Sequence, residues 1–316
     1  MPNTTYILCP GQGAQAVGMG KDFYESSPAA KDVFDTANRV VGYDLAALCF
    51  NGPQERLDQT DVSQPAIYVT SVAAHRAAVA AGVINPADKT EYAGLSLGEY
   101  TALHLAGVFG FEDGLKLVAA RGKYMQEAAV ATPSGMVAVL GGDEAGVTKL
   151  CAEQAQGDVL VAANFNAPGQ IVVSGSKVAC ERLVAAAGAA GLKTIPLAVA
   201  GAFHSPIMQS GADKMKAELE KVAFAAPKAT VYSNVTAAPH TDAVSIRKLL
   251  VDQIVRPVRW EQTMQAIAPA GSTTEAARFI ELAPGRSLTG MLKKINRRLP
   301  VETLSTAEAL SAAKPA

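Results

Sequence analysis

Short apolar runs alternate along the chain with longer stretches whose apolar positions recur at helical spacing. The apolar runs predict buried strands at 6–9, 136–140, 159–165, 170–174, 194–199, 231–234 and 279–282. The helical stretches lie at 28–50, 66–81, 97–108, 111–129, 144–156, 178–190, 207–222, 245–255 and 286–294, with a polar loop predicted at 58–65. Alternation of this kind favours an α/β fold with a mostly parallel sheet and helices on both faces.

One segment has an order of elements of its own. Thr132-Pro133-Ser134-Gly135 marks a boundary, and the residues that follow read as strand, helix, strand, strand, helix, strand. That order is the ferredoxin-like motif. We therefore expect a ferredoxin-like small subdomain at 132–199, inserted into a larger catalytic subdomain formed by 1–131 and 200–316.

Composition narrows the class of protein. With 316 residues, 49% hydrophobic and 18% charged, the chain is typical of a soluble globular protein. A formal net charge of −1 argues against nucleic acid as a partner, because phosphate binding requires a basic excess. The four cysteines form no C-x-x-C pair, which predicts reduced thiols. The first residues resemble no signal peptide and no run suits a membrane span, so we expect a cytoplasmic protein that does not contact membranes, unless a transit peptide was removed.

The stretch Gly94-Leu95-Ser96-Leu97-Gly98 has the form G-x-S-x-G between a short extended segment and a helix. This is the pattern of a nucleophile elbow, a strained strand-to-helix turn that exposes one serine hydroxyl. Glycine is needed on both sides because side chains there would collide with the crossing backbone. The alternative is a plain capping box, since Ser96 and Glu99 also fit the S-x-x-E pattern that starts many helices.

A serine nucleophile needs a base, and His204 is the best candidate among the four histidines. It lies in a loop next to Pro206, where the inserted segment returns to the larger unit, and clefts form at such junctions. His75 and His104 fall inside predicted helices, and His240 lies in a polar loop where we expect exposure. No acidic residue stands out as a partner for the base. We therefore expect a Ser–His dyad in which a carbonyl accepts a hydrogen bond from His204 Nδ1.

Two further features have a structural and a functional interpretation. Arg121 is adjacent to the inward stripe of helix 111–129, to which Met125 belongs. An arginine at such a position either extends to solvent, which the pattern alone favours, or anchors an anion inside a cleft. Gly11-Gln12-Gly13 forms a tight loop after the first strand, where backbone N–H groups can face a ligand. By itself this pattern favours an ordinary turn.

In combination, these motifs resemble those of the malonyl-CoA:acyl carrier protein transacylases from about Tyr6 to Leu304. The motifs that carry the resemblance are Gly11-Gln12-Gly13-Ala14-Gln15, Gly94-Leu95-Ser96-Leu97-Gly98-Glu99, Arg121, Gly201-Ala202-Phe203-His204-Ser205, Gln253 and Glu281-Leu282-Ala283-Pro284-Gly285. The resemblance implies an α/β-hydrolase-like large subdomain. It also implies transfer of a malonyl group from coenzyme A to the phosphopantetheine thiol of an acidic acyl carrier protein, in fatty acid biosynthesis. It implies no metal and no cofactor apart from the coenzyme A thioester, which is the substrate.

The resemblance also implies roles for individual residues. Ser96 corresponds to the acylated nucleophile and His204 to its base. Gln253 corresponds to the residue that orients His204. The backbone N–H groups of Gln12 and Leu97 correspond to the oxyanion hole.

Specificity is assigned on the same basis. Arg121 resembles the bidentate partner of the malonyl carboxylate, and Met125 is assigned to the substrate site with it. Phe203 resembles a bulky residue that leaves little room for an α-methyl branch, so we expect malonyl to be preferred over methylmalonyl; the alternative is a core residue. The chain departs from the family at Leu95, where histidine is common. Because that histidine is not the base, we expect the chemistry to survive with altered packing and polarity behind the elbow.

A basic run near the C-terminus suits an acidic partner. It contains Arg286, Lys293, Lys294, Arg297 and Arg298 with no acidic residue between them. The alternative is a solvated helix end.

The sequence also allows other functions: a serine esterase or thioesterase, an acyltransferase of a polyketide pathway, and a non-catalytic module that binds acyl carriers. We expect a monomer.

Overall fold

A computed structural model describes residues 4–269 and 277–313. The strands are β1 (Thr4–Cys9), β2 (Thr90–Gly94), β3 (Ser134–Leu140), β4 (Leu160–Ala167), β5 (Gln170–Ser176), β6 (Lys193–Pro196), β7 (Thr230–Tyr232), β8 (Ala277–Leu282) and β9 (Val301–Leu304). The helices are α1 (Lys21–Ser26), α2 (Pro28–Val41), α3 (Leu45–Asn51), α4 (Gln54–Leu57), α5 (Thr60–Ala80), α6 (Leu97–Leu105), α7 (Phe111–Ala131), α8 (Glu144–Ala155), α9 (Lys177–Ala187), α10 (Gln209–Glu220), α11 (Ala243–Val255), α12 (Trp260–Ile267), α13 (Ser287–Ile295) and α14 (Ala307–Ala312). Short 3₁₀ turns lie at Gly188–Ala190 and Pro206–Met208.

The larger sheet has the order β7-β2-β1-β8-β9 among the described residues, and each neighbouring pair is parallel. Ile7, Leu8 and Ile280 on its central strands are fully buried, as expected where helices cover both faces. In a parallel sheet all strands end at the same edge. The loops that follow β1, β2 and β8 therefore lie side by side, and this edge is where α/β proteins place their sites. The predicted α/β class is confirmed.

The smaller sheet has the order β4-β5-β3-β6, and its neighbours are antiparallel. Two helices, α8 and α9, pack against it around Val139, Val173 and Leu183. This order and these directions are those of the predicted ferredoxin-like motif. The division at 132 and 199 stays a prediction, and the predicted ends at residues 1 and 316 lie outside the described residues.

Strand β4 of the small sheet makes backbone hydrogen bonds to Val258, which lies between α11 and α12. The Phe165 N–H on β4 donates to the Val258 carbonyl at 2.9 Å, and the Val258 N–H donates to Ala163 at 2.8 Å. This contact holds one end of the small sheet against the larger unit. A cleft remains between the small sheet and the loops that follow β1 and β2.

The largest differences from the predicted boundaries concern α5 and the helix predicted at 28–50. Helix α5 begins at Thr60, so the predicted polar loop at 58–65 is wrong over most of its length. Ser63 and Gln64 are both buried in α5, and Gln64 lines the cleft, so their polarity did not mark a loop. The predicted helix at 28–50 is divided at Gly42, whose φ of 78° ends α2. The longest described helices, α5 and α7, have 21 residues each, and no described helix combines the length and apolar character needed to cross a bilayer.

Candidate active site

Ser96 lies in the sharp turn between β2 and α6, with φ 52° and ψ −105°. The turn brings backbones so close that a Cβ added at Gly94 would overlap Gly98, and one added at Gly98 would overlap the Cys9 carbonyl. Glycine is therefore required at both positions, as the motif predicts. Since Leu97 is the first residue of α6, the free N–H groups and the positive dipole end of this helix lie beside the serine.

The capping-box interpretation of this stretch is wrong. The Ser96 side chain makes no capping hydrogen bond, and the Ser96 N–H donates instead to Asn234 Oδ1 at 2.6 Å. Asn234 Nδ2 also donates to the Gly94 carbonyl at 2.7 Å, so one side chain bridges both arms of the turn. Glu99 points into the protein and is fully buried. With no capping bond to make, the Ser96 hydroxyl is available for chemistry.

The Ser96 hydroxyl and the His204 imidazole are in direct contact, with 2.8 Å between Oγ and Nε2. His204 Nδ1 lies 2.7 Å from the Gln253 carbonyl oxygen. A carbonyl only accepts, so Nδ1 carries the proton and Nε2 is free to accept from Ser96. Burial, and secondarily the charge of Arg121, lower the pKa of His204 to about 4, while the Gln253 carbonyl opposes the shift. The imidazole is therefore neutral at physiological pH, as a base must be.

Arg121 lies in the cleft with 1% of its surface exposed, so the solvent-directed interpretation is wrong. Its Nη1 donates to Gln64 Oε1 at 2.7 Å, and its Nη2 donates to Gln253 Oε1 at 2.8 Å and to Ser96 Oγ at 3.0 Å. These partners are uncharged, and no carboxylate of a described residue contacts the guanidinium. Burial lowers the pKa of Arg121 from its ordinary value. A buried cation without a contacting anion is suited to bind an anionic ligand.

The backbone N–H groups of Gln12 and Leu97 have no hydrogen-bond partner among the described residues. Gln12 follows β1, and Leu97 begins α6 directly after Ser96. Both therefore lie at the sheet edge where the serine is exposed. Two free donors at this edge match the composition of an oxyanion hole. The side chain of Gln12 donates to Thr60 Oγ1 at 3.3 Å, which holds the loop against α5.

The cavity above Ser96 has a volume of about 380 Å³. Its lining includes Met125 and Phe203, both predicted to contact substrate, and they are 2% and 5% exposed. Leu95, the residue that departs from the family pattern, also lines this cavity. The wall of the cavity is therefore apolar at residue 95, where the histidine that is common in the family would make it polar. Among the described residues no cluster of three or more His, Cys, Asp or Glu side chains is placed to hold a metal ion.

Comparison with known proteins decides the family. The sequence profile described as "Acyl transferase domain" matches residues 5–314. This chain belongs to the acyl transferase family. It is 43% identical to the malonyl CoA-acyl carrier protein transacylase of Salmonella typhimurium, with 97% of each chain covered. It is 40% identical to the protein of that name from Bacillus subtilis, with 97% of this chain and 95% of the relative covered.

Solved structures agree. The malonyl CoA-acyl carrier protein transacylase of Coxiella burnetii is similar to this acyl transferase with a TM-score of 0.93 and 38% identity, covering 99% of this chain and 97% of that one. A malonyl-transacylase solved in complex with a type II PKS acyl-carrier protein gives a TM-score of 0.91 and 38% identity, covering 98% of each chain. The division into a parallel and an antiparallel sheet is therefore the fold of these relatives.

Three residues of this acyl transferase's site were not predicted from the sequence. Gln64 falls in the predicted polar loop, and its burial depends on tertiary contacts that the surrounding polar residues do not indicate. Asn234 was placed only at the end of a strand, and its position at the same sheet edge as Ser96 was the available signal. Exposure of His240 was predicted wrongly: the residue is 7% exposed, because its Nε2 lies 2.7 Å from the buried Glu99 carboxylate.

Proposed function

We propose that this acyl transferase moves a malonyl group from coenzyme A to the phosphopantetheine thiol of an acyl carrier protein, in fatty acid biosynthesis. One observation carries the proposal: the Ser96 hydroxyl is contacted both by a neutral imidazole and by a buried guanidinium. The imidazole suits nucleophilic acyl transfer. The guanidinium selects acyl groups that end in a carboxylate. The names of the relatives point to the same activity.

In the first half-reaction, His204 Nε2 takes the proton of Ser96 as Oγ attacks the thioester carbonyl. The oxyanion that forms accepts from the backbone N–H groups of Gln12 and Leu97, each worth about 3 kcal/mol on typical donor deletions. The tetrahedral intermediate then expels the thiolate, which takes the proton from His204 and leaves as coenzyme A. Ser96 retains the malonyl group as an ester.

In the second half-reaction, the carrier-protein thiol gives its proton to His204 and attacks the malonyl ester. The same oxyanion hole stabilises the second intermediate, and the Ser96 oxygen recovers its proton from His204. The sequence is ping-pong, because coenzyme A leaves before the carrier protein reacts. His204 acts as the base in both half-reactions, because it returns to the neutral form at the end of each.

Arg121 provides the selection for malonyl. Its Nη2 lies 3.0 Å from Ser96 Oγ, close enough for a short acyl chain on the serine to bring its terminal carboxylate to the guanidinium. A charge-assisted, bidentate pair between the guanidinium and the carboxylate selects an acyl group with a negative charge and also fixes the direction of the acyl chain. Gln64 accepts from Nη1 and Gln253 from Nη2, so the guanidinium is already oriented before the ligand binds.

Mass spectrometry of the intact protein after mixing with malonyl-CoA tests the proposal. We expect a malonyl adduct on wild-type Ser96 that disappears when holo acyl carrier protein is added, and no adduct on Ser96→Ala. Steady release of free malonate without a carrier would indicate an esterase or thioesterase. Carrier binding without any adduct would indicate a binding module. Comparison of fatty acid and polyketide carrier proteins as acceptors distinguishes the two pathways.

Phe203 limits the width of the acyl site in this proposal. It is 5% exposed and lines the cavity together with Met125. We expect malonyl-CoA to acylate Ser96 faster than methylmalonyl-CoA, and Phe203→Ser to narrow the difference because it makes room for the α-methyl branch. A competition between the two thioesters measures the ratio. An unchanged ratio in Phe203→Ser would mean that Phe203 is only a core residue.

The proposed carrier-protein surface consists of α13 and the residues that directly precede and follow it. All five basic residues of the C-terminal run are exposed. Met291, on the same helix, lines the cavity that contains Ser96, so this surface adjoins the cavity. An acidic carrier protein that docks there is attracted by the positive charge close to where its prosthetic arm must enter.

We also propose a cytoplasmic monomer that needs no cofactor other than the thioester substrate, divided at 132 and 199 into the two subdomains. The four buried cysteines are free thiols, as is usual in a reducing compartment. Size-exclusion chromatography with light scattering measures the mass in solution, and limited proteolysis locates the division.

A further inference from the structure

Behind Ser96, on the side away from the cavity, four polar side chains form a buried cluster. This buried cluster consists of Glu99, Asn234, His240 and Gln253. The Glu99 carboxylate accepts from three of its neighbours: from Gln253 Nε2 at 2.7 Å, from the Asn234 backbone N–H at 3.0 Å and from His240 Nε2 at 2.7 Å. The Glu99 and His240 side chains are both fully buried. Burial of a carboxylate costs desolvation free energy, and three hydrogen bonds offset that cost here.

Glu99 determines which way the Gln253 amide points. Glu99 Oε2 accepts from the Asn234 backbone N–H, which can only donate, and this oxygen therefore also requires the NH₂ group of Gln253 on its side. The Ser96 carbonyl, at 3.0 Å from Gln253 Nε2, makes the same requirement. The amide oxygen therefore faces the opposite way, where it accepts from Arg121 at 2.8 Å. The reversed amide would place oxygen against the carboxylate and NH₂ against the guanidinium.

The geometry points to Glu99 as a positioning residue for the acyl-group selection of this enzyme, acting on Arg121 through the Gln253 amide. This inference rests on the proposed function. Glu99 does not touch the cavity, and its effect reaches the site through Gln253. His240 completes the arrangement, because its Nε2–H occupies the Glu99 oxygen that Gln253 does not use. With both oxygens held, the carboxylate cannot turn away from the amide.

The alternative is that Glu99 only stabilises the fold. The two roles differ in their effect on substrates: loss of stability lowers the acylation rate with every thioester, whereas a turned Gln253 amide displaces Arg121 and penalises only acyl groups that end in a carboxylate. The contact between the Gln253 backbone carbonyl and His204 does not depend on the side-chain amide. Acetyl transfer therefore serves as an internal reference for the base.

The test uses Glu99→Gln, which keeps the size of the side chain but accepts either orientation of Gln253. We expect the rate constant for acylation of Ser96 by malonyl-CoA to fall about ten- to a hundredfold, as for a small displacement in an active site. With acetyl-CoA the rate constant for acylation should change less than about threefold, because the acetyl group has no carboxylate for Arg121 to bind and the substitution does not touch the cavity. Glu91→Gln is the matched control, because Glu91 is also a buried carboxylate and accepts from Tyr232 at 2.8 Å outside the cluster. It should leave the malonyl-to-acetyl ratio unchanged.

A double-mutant cycle with Gln253→Met makes the test specific. Methionine has no amide for Glu99 to orient, so Glu99→Gln should have no further effect on the malonyl-to-acetyl ratio in that background. If Glu99→Gln does not unfold cooperatively, Glu99→Asp replaces it, since the shorter side chain withdraws the carboxylate from the amide. The inference is overturned if the ratio stays at the wild-type value, or if the change persists in full with Gln253→Met. Failure of wild-type Ser96 to accept malonyl would instead overturn the proposed function.

Discussion

Ser96 and His204 share a backbone conformation that residues with side chains seldom adopt, with φ of 52° and 57°. Such positions cost about 1–3 kcal/mol each, so the surroundings must hold them in place. Asn234 does this for Ser96 by bonding on both sides of the turn. The carbonyl of Phe203, next to His204, accepts from Ser174 at 2.5 Å. The two groups thus face each other before substrate arrives.

The low pKa of His204 predicts the acid side of the pH profile. The pKa is about 4 in the folded protein, and an unperturbed histidine has 6.5. We expect the rate of Ser96 acylation by malonyl-CoA to fall only as pH approaches 4. Arg121→Met, assayed with acetyl-CoA, should move this limb to higher pH, because the charge of Arg121 is the second cause of the shift. A limb near 6.5 in the wild type would contradict the proposed environment of the base.

The same shift makes stability depend on pH. Between about pH 4 and 6.5 the unfolded chain binds more protons at residue 204 than the folded protein does. The free energy of unfolding contributed by this group therefore rises with pH across that window, and is lost as pH falls through it. Urea unfolding of the wild type and of His204→Gln at several pH values isolates the contribution as the difference in slope.

Arg121→Ala separates binding of the carboxylate from acyl transfer. We expect malonyl transfer to fall at least about a hundredfold, since a buried charge-assisted pair is lost, while acetyl transfer is spared or improved. Steady-state assays with both thioesters measure the two constants. Arg39→Ala, at an exposed arginine paired with Glu112, is the control and should change neither. Equal losses for malonyl and acetyl would mean that Arg121 has no part in selecting the acyl group.

At this scale local signals in the sequence indicate Ser96 and His204 as candidates. A glycine-flanked serine fits both a nucleophile elbow and a capping box, and a histidine in a loop at a junction fits a base. The sequence was insufficient for Arg121, because the pattern of its own helix favours an arginine that extends to solvent. Burial there depends on Gln64 and Gln253, which come from other helices. The burial of His240 likewise depends on Glu99, which the local pattern presented as a capping residue.

Among the elements, the turn between β2 and α6 sets the strictest requirement on side-chain size. Gly98→Ala should destabilise the protein by about 3 kcal/mol, because the added methyl overlaps the Cys9 carbonyl and the backbone must shift. Gly290→Ala is a matched control inside another helix, with nothing within 4 Å of its added Cβ. It should be neutral or stabilise by up to about 1 kcal/mol through helix propensity. Urea unfolding midpoints measure both, and equal values would show that the backbones at Gly98 are not in close contact.

Elements with strong local patterns were predicted well, and those set by tertiary contacts were not. The long helix α7 and the strands of the small sheet follow their apolar periodicity. Strand β9 was not predicted, because it is short and becomes a strand only by pairing with β8. The start of α5 was misplaced because polar residues that face a cleft look like a loop when only the sequence is considered.

For the whole molecule, charge at α13 governs the encounter with the carrier protein in our proposal. Reversal in Lys293→Glu with Lys294→Glu should raise the KM for acyl carrier protein about tenfold or more and weaken its dependence on salt. Acylation by malonyl-CoA reports whether the site itself is intact. Lys216→Glu with Lys248→Glu makes the same change in net charge in a groove between α10 and α11, and should leave this KM unchanged. If reversal on α13 also leaves it unchanged, the carrier protein docks elsewhere.

The alternation of strands and helices predicts the α/β architecture, and the order of elements at 132–199 predicts the ferredoxin-like motif. Neither predicts the strand order of the larger sheet. That order depends on which strands pair, and β1 pairs with β8 from near the other end of the chain. The cleft includes the loop that follows β1, so its position depends on this pairing. Convergence of Ser96, His204 and Arg121 was therefore accessible from the sequence through the family resemblance and not through local patterns.

Gln253 contacts the base through its main chain and the arginine through its side chain. Every amino acid supplies the carbonyl, whereas few supply the amide oxygen. Mutation at this codon can therefore alter which acyl group is accepted without dismantling the nucleophile's activation. In our proposal, evolution and protein engineering thus have at Gln253 a position where a new preference can be explored while turnover is retained.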